Sequence, residues 1–183
     1  MNQPHPSPVV LAKSDPWLAE QVTRERDPAN RVEVPSKLVS PSAVLSSTIN
    51  GIKDACVAKR ANKPISQILF QRGVFHRLPI GFRVCPETAD RALLILDTLI
   101  KACAARGISV LIGEGGLNFA VGGWAAQVRI SERVNERLIP NVSKTKTAQP
   151  FGSEKIYEST GQLSIYVSRM GNERKLSDKK GAP

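Results

Sequence analysis

The side chains best suited to metal binding or nucleophilic catalysis are few and far apart in this sequence. Its three cysteines are widely spaced in apolar patterns: Cys56, Cys85 and Cys103. Its two histidines, His5 and His76, stand alone. A zinc site uses closely spaced Cys or His pairs, and a nucleophile needs a base within hydrogen-bond reach. The sequence therefore predicts reduced core cysteines, no metal, no cofactor and no catalytic residue.

The run Gly113-Glu114-Gly115-Gly116 has the composition of a phosphate-binding loop but lacks its context. A phosphate cradle leads from a strand into a helix N-terminus, and a Walker motif adds Lys followed by Ser or Thr. Here a second strand pattern follows and the run contains no lysine. We interpret it as a hairpin turn.

Carboxylates offer one further route to chemistry, a metal-dependent nuclease site. Those that stand near a lysine lie in a C-terminal segment without a strand pattern: Glu173 with Lys175, and Asp178 with Lys180. Glu132 and Glu136 are followed by Arg133 and Arg137, and we expect these neighbours to pair with them at the surface. The sequence therefore gives little support to a nuclease.

Basic residues carry the remaining functional signal. The net charge is +10, yet residues 78–131 are nearly neutral, whereas 53–77 hold six basic residues against one acidic and 132–183 hold ten against six. Such asymmetry favours association with polyanions. We predict two surfaces that contact nucleic acid. The first consists of Lys53, Lys59, Arg60, Lys63, Arg72 and Arg77. The second is mobile and consists of Lys144, Lys146, Lys179 and Lys180.

The composition also narrows the mode of binding. Aromatic residues make up 5% of the chain, which disfavours binding of single strands by base stacking. Lysine and arginine without a recognition helix contact phosphates and do not read bases. We expect a non-catalytic nucleic-acid-associated accessory protein. The alternatives are a protein-interaction or assembly module that docks through its N-terminal helices, an enzyme with a dispersed site, and lysines that only aid solubility.

Three helices are predicted from caps and apolar periodicity. The first begins at Ser14-Asp15-Pro16 and ends before Pro28, and the second begins at Ser40-Pro41 and stops at Asn62-Lys63-Pro64. Pro86 opens the longest, which has an apolar stripe through Leu93, Leu96 and Ile100 and closes at Arg106-Gly107. The first ten residues, with three prolines, suggest a disordered leader.

Alternating apolar residues follow the long helix. A short strand at 81–84 precedes that helix, and strands over 108–112, 117–121 and 124–131 are joined by glycine turns, so they predict an antiparallel meander. Residues 132–155 look like an exposed loop, and Leu163, Ile165 and Val167 mark one more strand. The predicted class is α+β: an antiparallel meander sheet with a long helix packed on one face, preceded by N-terminal helices.

The predicted organisation has four parts: a leader at 1–13, a helical segment at 14–64, an α+β core at 65–170 and a flexible basic tail at 171–183. No signal peptide is visible, and the longest apolar stretch, 92–105, is interrupted by Asp97 and Lys101. We therefore expect a cytoplasmic protein without a membrane partner. The oligomeric state stays open.

The chain resembles a family of uncharacterised bacterial proteins from mobile-element or plasmid-like contexts. The resemblance covers about two thirds of the chain and rests on residues 91–97, residues 101–107, Ser131-Glu132-Arg133 and Thr160-Gly161-Gln162-Leu163. Members of that family often carry an N-terminal helix-turn-helix-like segment, which implies DNA binding. This chain lacks such a segment, and the resemblance implies no catalytic residue.

Overall fold

The computed structural model describes residues 16–57, 64–67, 81–113, 116–121, 123–140, 153–169 and 172–177. The chain divides into two compact units, Met1–Val34 and Pro35–Pro183. The first contains helix α1 (Pro16–Arg26), as predicted, and a 3₁₀ turn at Pro28–Asn30. The side chain of Asp27 caps that turn by accepting a hydrogen bond from the Ala29 amide at 2.9 Å.

In its described residues the second unit contains two α-helices with described bounds and six strands, and residues 65–67 are helical as well. Helix α2 (Ser46–Val57) follows a 3₁₀ turn at Ala43–Leu45, and helix α3 (Ala89–Ala104) follows one at Pro86–Thr88. The strands are β1 (Phe82–Arg83), β2 (Ser109–Gly113), β3 (Gly116–Val121), β4 (Trp124–Pro140), β5 (Ser153–Arg169) and β6 (Asn172–Ser177). The unit boundary after Val34 groups α2 with the sheet, whereas we expected α2 in a separate helical segment ending at residue 64.

The strands form one sheet in the order β2-β3-β4-β5-β6, and each neighbouring pair is antiparallel. Strand β1 lies off this path and pairs with β4 in parallel, with Phe82 opposite Ile130. The α+β class, the antiparallel meander and the long helix beside it are confirmed. None of the helices in the described ranges is long and apolar enough to span a membrane.

Both helices of the second unit pack on one face of the sheet. Leu93, Leu96 and Ile100 of α3 are buried in one cluster with Val128 and Ile130 of β4. From α2 and the turn before it, the same cluster includes Leu45, Ile52 and Ala55. Burial of each large aliphatic side chain contributes roughly 1.5–3 kcal/mol. The predicted apolar stripe of α3 is therefore the face that covers the sheet.

The start of α2 differs from the prediction because a distant carboxylate intervenes. Ser40 has a φ of 47°, and the helical turns begin only at Ala43. The buried carboxylate of Asp97 accepts hydrogen bonds from both the amide and the hydroxyl of Ser42, each at 2.8 Å, and pairs with Lys101 at 2.6 Å. Burial alone would raise the pKa of Asp97, but the hydrogen bonds from Lys101 and Ser42 outweigh it and lower that pKa.

Strands β4 and β5 are longer than expected, which corrects the loop predicted over 132–155 at residues 132–140 and 153–155; the rest of that loop lies outside the described residues. Each strand has 17 residues, and they pair from Gln127 opposite Ser168 to Pro140 opposite Ser153. We call residues 134–140 and 153–159 the arm. It lies beyond an irregularity between Glu132 and Val134. The pattern missed the arm because its exposed residues do not alternate between apolar and polar.

The flexible tail predicted over 171–183 is corrected in part, and residues 171 and 178–183 of it lie outside the described residues. Residues 172–177 form strand β6, which pairs with β5 from Ser164 opposite Ser177 to Arg169 opposite Asn172. Leu176 is the only large apolar residue of β6, so its own sequence gives no strand pattern. The ladder of backbone hydrogen bonds to β5 stabilises β6 as a strand, because its side chains contribute little apolar packing.

Candidate functional site

The structure describes one of the ten basic residues predicted to contact nucleic acid. Lys53 is exposed on α2, where it lines a cavity of about 490 Å³ together with Ser47, Asn50 and Asp54. Because α2 packs on the helix-covered side of the sheet, Lys53 belongs to the helical layer. The other nine lie outside the described residues: Lys59, Arg60, Lys63, Arg72, Arg77, Lys144, Lys146, Lys179 and Lys180.

The face of the sheet opposite the helices is polar and includes several basic side chains. In β4, Val128, Ile130 and Glu132 point towards the helices, so the residues between them point to the other side. We call that side the open face. Its described polar and aromatic residues are Arg83, Ser109, Asn118, Gln127, Arg129, Ser131, Arg133, Asn135, Arg137, Glu158, Ser164, Tyr166, Ser168, Glu173, Lys175 and Ser177.

Four arginines follow the path of β4 along the open face. Arg129, Arg133 and Arg137 recur every fourth residue, so neighbours in this series stand about 13–14 Å apart along the strand. Arg83 of β1 lies opposite Ser131, between the first two. We call these four residues the arginine row. Its length of about 27 Å matches the axial rise of about eight nucleotides in one strand of B-DNA.

Arg129 is held in place by its neighbours on β5 and β6. Its guanidinium makes a two-pronged pair with Glu173, at 2.8 Å from Nη2 to Oε1 and 3.1 Å from Nε to Oε2. It also lies 4.3 Å from the centre of the Tyr166 ring, and Lys175 approaches the same ring to 5.7 Å. A Cβ at Gly81 would stand 2.8 Å from the Arg129 Cβ, so glycine leaves the room that this side chain needs.

The other three arginines are less constrained. Arg137 is 3.6 Å from Glu158, and both side chains are more than half exposed. Arg83 and Arg133 are exposed, and neither forms an ion pair with a described residue. Among the described side chains of the open face, five are basic and two, Glu158 and Glu173, are acidic. The open face therefore presents guanidinium groups that are accessible to an anion.

Glu132 lies at the base of the arm, and its position overturns the surface pairing with Arg133 that we expected. Its buried carboxylate accepts hydrogen bonds from the Cys85 amide at 2.9 Å, the Thr88 hydroxyl at 2.5 Å, the Gly161 amide at 3.0 Å and the Ser159 hydroxyl. Burial alone would raise the pKa of Glu132, but these hydrogen bonds outweigh it and lower that pKa. Glu132 thus joins the turn before α3 to the point where β5 enters the arm.

The remaining predictions about chemistry concern cysteines and carboxylates. Cys85 and Cys103 are free thiols, and burial, followed by the charge of Glu132, raises the pKa of Cys85 to about 12. A thiol that stays protonated is a poor nucleophile. Glu136 pairs with Lys155 at 2.9 Å and not with Arg137. In the part of the chain that the structure describes, no three His, Cys, Asp or Glu side chains group into a metal site.

The geometry of the described residues defines a class of surface, a sheet face that α2 and α3 leave uncovered and that carries a row of guanidinium groups. No family model, curated protein or solved structure matches this chain. A sequence signal for the row exists, since basic residues at 129, 133 and 137 share one face of any strand that contains them all. We missed it because we ended that strand at Ser131.

Proposed function

We propose that this protein is a non-catalytic nucleic-acid-binding protein whose arginine row contacts the phosphate backbone. The observation that carries the proposal is the placement of four arginines on a sheet face that α2 and α3 leave uncovered, with Arg83 and Arg133 exposed and without a described carboxylate partner. A guanidinium group presents parallel N–H donors that match two phosphate oxygens. Contacts of this kind bind sugar-phosphate backbones without reading bases.

The arm adds to this surface in one respect. It continues the row to Arg137 and leads into residues 141–152, which include Lys144 and Lys146. A two-stranded ribbon fits the major groove of B-DNA. The described part of the arm contributes little net charge itself, since Lys155 and Arg137 have the carboxylate partners Glu136 and Glu158. The proposal therefore assigns the main contact to the arginine row.

The resemblance to bacterial proteins of mobile-element contexts agrees with an accessory role beside DNA in the cytoplasm, and we keep that setting within the proposal. Lys53 and the nine basic residues outside the described ranges stay predicted contacts. An assembly module is the second candidate function, because strand β2 at one edge of the sheet is apolar and exposed, as a docking strand would be.

The test is binding of a fluorescent mixed-sequence duplex and a single strand, measured by anisotropy across a salt series. The double variant Arg83→Glu/Arg133→Glu reverses two residues of the row. Its matched control, Lys37→Glu/Arg174→Glu, reverses two exposed residues that lie off the open face, and Arg174 projects from the opposite face of β6. Each reversal removes two units of charge, so both variants have a net charge of +6 instead of +10.

We expect the row variant to bind at least about tenfold more weakly at low salt. The slope of log K against log salt should become shallower by about one for each phosphate that the variant no longer neutralises. The control variant should weaken binding far less. Equal effects of the two variants would mean that net charge alone governs binding, which would refute the arginine row. A parent protein that fails to bind either probe at low salt would refute the function itself.

A further inference from the structure

The two edges of the sheet differ in chemistry. Strand β2 forms one edge and β6 the other, so each has a row of backbone N–H and C=O groups that no described strand pairs. Proteins commonly protect such edges with charged side chains or proline. Strand β6 follows this rule, since Glu173, Arg174 and Lys175 are consecutive and exposed. Strand β2 does not, because its sequence is Ser-Val-Leu-Ile-Gly.

The apolar side chains of β2 are also unusually accessible. Leu111 is 62% exposed on the open face, and Ile112 is 42% exposed on the helix-covered face. The charge around them is low as well. Residues 107–128 contain a single charged residue, Glu114, in a chain whose net charge is +10. An apolar, nearly neutral edge whose outer backbone groups pair with no described strand favours the addition of another strand.

We infer that a second copy of this chain pairs with β2 in antiparallel orientation, with the two-fold axis at Leu111. The pattern of β2 is self-complementary about that residue: Leu111 faces its own copy on the open face, and Val110 faces Ile112 on the other. Val110 already packs against the hydrophobic core, so the second pair would extend that core across the axis.

The charge distribution selects a second copy over a polyanion or a basic partner. Two chains of net charge +10 repel each other wherever their basic surfaces meet, and β2 is an edge at which neither chain brings a charge. Pairing of β6 with itself would instead juxtapose three consecutive charged residues from each copy. Five residues form a short strand, so the dimer is weak and depends on concentration.

The geometry of such a dimer has a consequence for the open face. A two-fold axis perpendicular to the sheet keeps both open faces on the same side. Five strand spacings of about 4.8 Å then separate the lines of the two β4 strands, roughly 24 Å in all. Because Gln127 lies level with Leu111 in the register of β2, β3 and β4, the two arginine rows extend from the axis in opposite directions. The dimer itself does not depend on the proposed nucleic-acid function, and its test needs no nucleic acid.

Sedimentation velocity of the full chain over a range of concentrations tests the inference. We expect the average mass of the parent to rise towards that of two chains, and Leu111→Lys to weaken the dimer by at least about tenfold, because like charges would face each other across the axis. Leu176→Lys is the matched control, since Leu176 is 63% exposed on the other edge and the chemical change is the same. That control should dimerise as the parent does.

Disulfide trapping tests the register. Residues that face each other in an antiparallel pair have Cα atoms about 4.5–5.5 Å apart, which a disulfide spans. Leu111→Cys should therefore form a covalent dimer on mild oxidation much faster than Leu176→Cys at the same concentration. A parent that stays monomeric at every concentration, or a Leu176→Lys variant that dissociates as readily as Leu111→Lys, would overturn the inference. Equal trapping of the two cysteine variants would overturn the register.

Discussion

Strands β4 and β5 pass through two different environments, and the change falls at Glu132. Before it, Val128 and Ile130 are buried under the helices while Arg129 and Ser131 lie on the open face. Beyond it, most of the arm's described side chains are exposed, and cross-strand pairs such as Glu136 with Lys155 take the place of most of the apolar packing. The exception is Tyr157, which is buried and whose hydroxyl accepts a hydrogen bond from Gln67 at 3.0 Å. One backbone ladder therefore continues through two kinds of stabilisation, burial in the body and backbone pairing with exposed ion pairs in the arm.

The largest expected effect on stability comes from truncating a buried aliphatic residue of the body, and truncation of an exposed one in the arm provides the comparison. Ile130 is fully buried, so Ile130→Ala should lower the free energy of unfolding by about 2–5 kcal/mol. Leu138 is 62% exposed in the arm, and Leu138→Ala should change that free energy by no more than about 0.5 kcal/mol. Urea unfolding followed by circular dichroism measures both. Similar losses of stability in the two variants would show that the arm is packed as tightly as the body.

Removal of the charge at the boundary should have the next largest effect. Glu132→Gln replaces an oxygen that accepts hydrogen bonds with an amide NH₂ that cannot, and we expect a loss of about 1–3 kcal/mol in the free energy of unfolding at neutral pH. Glu136→Gln in the arm is the control, since it removes a carboxylate whose one described partner, Lys155, is exposed. It should unfold close to the parent's midpoint.

The pH dependence of that loss follows from the direction of the pKa shift. The pKa of Glu132 is lowered in the folded state from its ordinary 4.5, so the charged form stabilises the fold above that pH. This contribution disappears as the pH falls through the folded-state pKa. Parent and Glu132→Gln should therefore converge in stability below about pH 4.5, measured by urea midpoints at a series of pH values. A difference that stays constant on acidification would assign Glu132 a purely steric role.

The same division explains which elements could be predicted. Where a helix covers the sheet, burial imposes a regular spacing of apolar residues on the sequence. That spacing predicts the apolar stripe of α3 and the strands that contain Phe119, Val128 and Ile130. The arm gives no such spacing because its contacts link residues that are distant in sequence, as Glu136 and Lys155 are. Strand β6 was missed for the same reason, and the Ser42 to Asp97 contact is equally non-local.

The arginine row also contains one residue that the apolar pattern of the sequence places and three that it does not. Arg129 falls within the strand predicted over 124–131, where it alternates with Val128 and Ile130, so the apolar pattern alone places it on the outward side. Arg133 and Arg137 could join it in one row only if β4 continued to Pro140, and nothing in the apolar pattern indicates that it does. Arg83 joins the row through a parallel pairing of β1 with β4, which links residues far apart in the chain. A row assembled from a long polar strand and a distant short one has no local signature.

The smallest expected effect on stability, and the one that best separates stability from binding, comes from Glu158 in the arm. Glu158→Gln removes the carboxylate 3.6 Å from Arg137, a pair exposed enough that it contributes no more than about 0.5 kcal/mol to folding. If the row binds phosphates, that carboxylate competes for Arg137, so its removal should strengthen nucleic-acid binding about two- to fivefold in the anisotropy assay.

Glu136→Gln removes the same charge from the other face of the arm and should strengthen binding less, since its partner is Lys155 and not an arginine of the row. Equal gains from both variants would point to net charge, and no gain from Glu158→Gln would exclude Arg137 from the contact and confine the row to the body of the sheet.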